Sequence, residues 1–81
     1  MLCNNAFKLT GDVFKMFTKK SYEHCNVYYN PYEDIEILQG TTDFLSVDVY
    51  ISGQHVYECV NLNQAVNYLH EVGVEFKVKE S

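Results

Sequence analysis

The segment FLSVDVYISGQHVYECV, Phe44 to Val60, constrains the fold of this chain more than any other. Leu45, Val47, Val49 and Ile51 fall on one side of an extended chain and Ser46, Asp48 and Tyr50 on the other, the alternation of a half-buried strand. Ser52-Gly53-Gln54 then supplies turn chemistry before a second run of β-formers, His55 to Val60, so the segment reads as a hairpin. Its loop length sets which side chains share a face. A three-residue loop puts His55, Tyr57 and Cys59 beside the apolar row and leaves Glu58 outside near Asp48, whereas a two-residue loop turns Val56, Glu58 and Val60 inward. Burying an unpaired carboxylate is costlier than exposing two valines, so the longer loop is expected.

Upstream, HCNVYY, His24 to Tyr29, is rich in β-formers and precedes the turn pair Asn30-Pro31, which predicts a strand. DIEILQ, Asp34 to Gln39, sets Ile35 and Ile37 against Glu36 and Leu38 and predicts another. After the hairpin, Asn61 is a helix cap with Gln64 three residues on, as in a capping box. Leu62, Ala65, Val66, Leu69 and Val72 form the apolar stripe, and Gly73 ends the helix. Val74, Phe76 and Val78 then alternate with Glu75, Lys77 and Lys79 as a final strand. At the other end, Leu2, Ala6, Leu9, Val13 and Met16 or Phe17 step by three and four, which predicts a helix between Asn5 and Lys20, its start either early or after Thr10 as cap. The expected order is α-β-β-β-β-α-β. This is an α+β fold with two helices on a mainly antiparallel four- to five-stranded sheet, which the last strand can join in parallel through a crossover.

A chain of 81 residues has apolar surface for one core, so residues 1–81 are expected to form a single domain. With 47% hydrophobic residues and one proline it is too apolar for disorder. The opening MLCNNAFKLTGDVF interrupts its apolar residues with Asn4, Asn5, Lys8 and Asp12, so neither a secretory core nor a spanning helix is expected and the location is read as cytoplasmic. Cys3, Cys25 and Cys59, odd in number and widely spaced, fit a reducing compartment better than a disulfide framework.

The layout of charge is more telling than its net value of −5. Residues 1–20 hold Lys8, Lys15, Lys19 and Lys20 against Asp12, and residues 77–81 hold Lys77 and Lys79 against Glu80. All between, Ser21 to Phe76, carries nine carboxylates and neither lysine nor arginine. Phosphate backbones and anionic membranes need clustered cations, so direct nucleic-acid or membrane binding is not expected.

Catalytic and metal chemistry find little support in the pattern. His24, Cys25, His55, Cys59, His70 and Cys3 form no ligand knuckle, and His55 and Cys59 on one strand stand roughly 13 Å apart. Nucleophile elbow, phosphate loop and H-E-x-x-H are missing, so no enzyme activity, cofactor or metal is expected. An antiparallel run of strands between two helices resembles the double-stranded RNA-binding domain, which has three strands where four are expected here. That family's lysine cluster opens its last helix, where this chain has Asn61, Leu62, Asn63 and Gln64.

Tyrosines among acids suit protein recognition: tyrosine offers rigid contact area at low entropy cost, and carboxylates steer toward a basic partner. The expected contact set is Glu33, Asp34, Glu36, Asp43, Asp48 and Glu58 with Tyr29, Tyr32 and Tyr50. Small acidic proteins of phages and mobile elements, which present carboxylates where phosphates would sit, are similar in charge and size. By that analogy the expected function is a non-enzymatic inhibitor or adaptor, an anti-defence protein among the options, that blocks a basic nucleic-acid-binding protein. The alternative is a self-associating structural module, with Val56, Val60 and an edge strand completing a homodimer.

Overall fold

The computed structural model describes residues 16–42 and 45–79. Six strands and one helix follow in the order β1 Phe17–Ser21, β2 Cys25–Asn30, β3 Ile35–Gly40, β4 Val47–Ile51, β5 Gln54–Cys59, α1 Leu62–Glu71 and β6 Val78–Lys79. They build an α+β structure on one mixed sheet of order β5-β4-β3-β2-β1-β6, antiparallel throughout except where β6 joins β1 in parallel. The α+β class is as expected, but the sheet has more strands than the sequence predicts and the described residues contain a single helix.

The difference lies at the N-terminal side. Phe17 to Lys20, expected as the end of a helix, are strand β1, paired with β2 from Thr18↔Tyr29 to Ser21↔Asn26. Met16 precedes the strand without regular structure, and the rest of the expected helix lies outside the described residues. Without β1, strand β2 would present a row of unpaired N–H and C=O groups, and pairing them outweighs a local helical period. Phe17 also gains full burial this way, its ring 4.9 Å from that of Phe76.

The hairpin β4–β5 corrects the expected loop. Ile51 pairs with Gln54 across a two-residue turn, Ser52-Gly53, whose φ values of 53° and 78° are the left-handed pair that suits the twist of a tight hairpin. Val49 nevertheless pairs with Tyr57 and Tyr50 with His55, leaving Val56 as an extra residue, a β-bulge. The bulge restores Tyr57 and Cys59 to the core side and Glu58 to the side of Asp48, as expected for the longer loop. His55 is the exception: its partner is Tyr50, so it lies on the side opposite the core.

The helix covers one side of the sheet. Ala65 and Leu69 are buried against Ile35, Ile37, Val47, Val49 and Cys59, and the rings of Tyr57 and Tyr68 stack at 4.4 Å. Asn61 caps α1 by accepting from the Gln64 N–H at 2.9 Å, while the Gln64 side chain accepts from the Val60 N–H at 3.0 Å. Gly73, at φ 91°, closes the other end: its N–H reaches His70 O and that of Val74 reaches Leu69 O. From there Val74, Phe76 and Val78 pack on the core as the chain crosses to the far edge, although only Val78 and Lys79 form a ladder. Asn61→Ala should therefore lower stability by about 1 kcal/mol, read from urea denaturation, with Asn61→Asp close to wild type. An unchanged midpoint in the alanine variant would show that the cap contributes nothing.

Candidate partner-binding face

Among the described residues, the sheet face opposite α1 is built by two cross-strand rows. The first runs Thr18, Tyr29, Glu36, Tyr50, His55 and the second Lys20, Val27, Leu38, Asp48, Glu58, each neighbour a register pair. Alternation along every strand fixes this, since the residues between them, such as Tyr28, Ile37 and Val49, fill the core. Adjacent strands lie about 4.8 Å apart, so each row spans roughly 19 Å from β1 to β5.

Five of the expected contact residues share this face: Tyr29, Glu36, Asp48, Tyr50 and Glu58. Tyr32, Glu33 and Asp34 stand beside it in the exposed β2–β3 turn. The buried Asn30 side chain shapes that turn by accepting from the N–H groups of Tyr32 and Glu33 at 3.0 and 3.2 Å. Asp34 adopts φ 53°, a conformation its short polar side chain tolerates, and its carbonyl accepts from the Ser52 N–H, tying the turn to the tip of the β4–β5 hairpin. Asp43 lies outside the described residues.

The charge on the face is graded. Glu36, Asp48 and Glu58 occupy β3, β4 and β5, while Lys20 stands on β1, beside Tyr29 and Glu36 around a groove of about 300 Å³. His55 Nε2 lies 3.0 Å from Asp48 Oδ1, and its ring packs against that of Tyr50 at 5.1 Å. Val27, Leu38 and Tyr50 are only half-buried and give the face apolar contact area between the charges. Sequence reasoning sets Leu38 beside Glu36 but does not place Lys20, Val27 or His55 here. The helical period takes in Lys20 and the longer loop turns His55 to the core side, and neither β1 nor the bulge has a local signal in the sequence.

The cysteines sit differently. Cys25 is half-buried at the start of β2, whereas Cys59 is buried and its Sγ donates to Asn61 O at 3.3 Å. Burial pushes the Cys59 thiol up from its ordinary range, partly offset by backbone groups of Asn61 and Ala65 that favour the thiolate, so it is a packed thiol rather than a ready nucleophile. No helix among the described residues is long and apolar enough to cross a membrane. Compared with protein-family models, curated proteins and solved structures, the chain shows no significant match.

Proposed function

We propose that the open sheet face docks a protein with a basic surface and that the chain acts as a non-enzymatic inhibitor or adaptor of that partner. One observation carries this reading: Glu36, Asp48 and Glu58 share a face with Tyr29 and Tyr50, and that face lies opposite the helix. Carboxylates on three neighbouring strands sum their fields over a surface that a cationic partner can approach flat. The tyrosines and the half-buried Val27 and Leu38 supply the contact area that charge alone lacks. A nucleic-acid-binding protein is the partner class with the matching chemistry, because its basic channel is already built for rows of anions.

A tagged pull-down from a bacterial lysate, eluted by a salt gradient with duplex DNA added in parallel, tests this. The expected result is one basic nucleic-acid-binding protein, released by moderate salt and displaced by DNA. Capture that ignores both salt and DNA would count against the proposal.

The second reading, self-association, draws on β5. Among the described residues it is an edge strand, and Val56 and Val60 are exposed. The same strand carries a bulge and Glu58, two devices that blunt an edge against pairing, so the docking face is the stronger reading. A salt-independent dimer in sedimentation would reverse that order.

A further inference from the structure

Asp48, His55 and Glu58 converge at the β4–β5 end of the open face. One donor atom from each lies within 4.8 Å of the others, and His55 Nε2 stands 3.0 Å from Asp48 Oδ1. We propose that these three side chains bind a zinc-class divalent cation.

The donor set selects the metal. An imidazole nitrogen with two carboxylate oxygens suits zinc and its first-row neighbours, whereas magnesium and calcium favour oxygen alone. Distances are close to what ligation needs. Two donors about 2.1 Å from one zinc at a tetrahedral angle stand roughly 3.4 Å apart, so the His55–Asp48 pair is nearly placed. Glu58 is exposed on a flexible stem and closes the remaining gap by rotation. His55 ligates as the neutral base through Nε2, and any proton it shares with Asp48 leaves to solvent.

Energetics point the same way. Asp48 and Glu58 are directly opposite in the ladder, where like charges repel, and a cation between them turns that repulsion into attraction. The Tyr50 ring against His55 restrains the imidazole, as outer groups do around metal ligands. The bulge makes the constellation possible. Residues 55 and 58 are three apart and would point to opposite faces of a regular strand; the extra residue Val56 brings both beside Asp48. Three protein ligands leave a fourth position for water or an incoming group. The proposal needs only this chain and the cation, so it stands or falls apart from the partner-binding reading.

Zinc chloride titrated calorimetrically into the full chain, under a non-chelating reductant, decides the matter. One zinc per chain with micromolar affinity is expected, together with a rise in melting temperature at excess zinc. His55→Ala and Glu58→Gln should each weaken binding by at least about tenfold, whereas His70→Ala leaves it unchanged and millimolar magnesium does not compete. Glu58→Gln is isosteric and exposed, so it keeps the fold testable if His55→Ala does not, with far-UV circular dichroism as the check. Affinity that survives both ligand variants, as binding through the cysteines would, overturns the site. So does the absence of both heat and a melting shift at millimolar zinc.

Discussion

Phe17→Ala should remove a large share of the stability of the fold, about 3–5 kcal/mol. Phe17 has no exposed surface, packs on Phe76 at 4.9 Å and begins the strand that joins β2 to β6. Emptying such a site costs about 3–5 kcal/mol, against a total of roughly 4–12 kcal/mol for a domain of this size. Urea denaturation followed by circular dichroism reads the loss. Phe76→Ala, at a half-buried position, should cost less, and the double variant should lose about 1 kcal/mol less than the sum because the ring pair is counted once. The experiment also tests the burial itself, since an exposed phenylalanine would lose under about 0.5 kcal/mol.

Reversing Glu36, Asp48 and Glu58 together to lysine should abolish docking to a basic partner. The three changes take the net charge from −5 to +1 and set like charges against the partner where opposite ones stood. Juxtaposed like charges cost several kcal/mol, which corresponds to a loss of more than about a hundredfold in affinity. None of the three side chains is in the core, so the circular dichroism spectrum should be retained. Glu71→Lys with Glu75→Lys, on the exposed surface outside this face, should leave binding within about threefold. Binding that survives the triple reversal would remove the open face from consideration. Glu33→Lys with Glu36→Lys leaves the three cation ligands intact, so loss of partner binding there separates docking from any zinc effect. Asp34 is left alone in these variants because lysine fits its left-handed backbone poorly.

The hairpin shows where sequence reasoning held and where it stopped. Energetic preference placed Tyr57 and Cys59 inward and Glu58 outward, and the structure agrees, because an unpaired buried carboxylate is costly by any route. The route itself differed. A two-residue turn with a bulge at Val56 reaches the same faces as a three-residue loop, and the two differ only at His55. That one residue decides whether Asp48 and Glu58 have an imidazole beside them. The capping of α1 by Asn61, the role of Gly73 and the turn at Asn30 were legible for the opposite reason: each is made by side chains within a few residues of the backbone groups they satisfy. That Glu58 stands beside Asp48 was legible from the hairpin, but that Glu36 joins them was not, because it follows from the register of β3 on β4, which neither strand contains by itself.

The alternation of β2 to β5, the helix from Leu62 with both its caps, the α+β class, and a middle stretch with carboxylates and no lysine or arginine can all be read along the chain. These are local properties, set by the period of apolar residues and by which groups can satisfy nearby backbone. Three features emerge from long-range pairing instead: Phe17 to Lys20 form a strand, β6 pairs with β1 at the edge far from β5, and the bulge turns His55 toward Asp48. In each case the deciding term is non-local: an open strand edge must pair its N–H and C=O groups, and the partner that does so lies far along the chain.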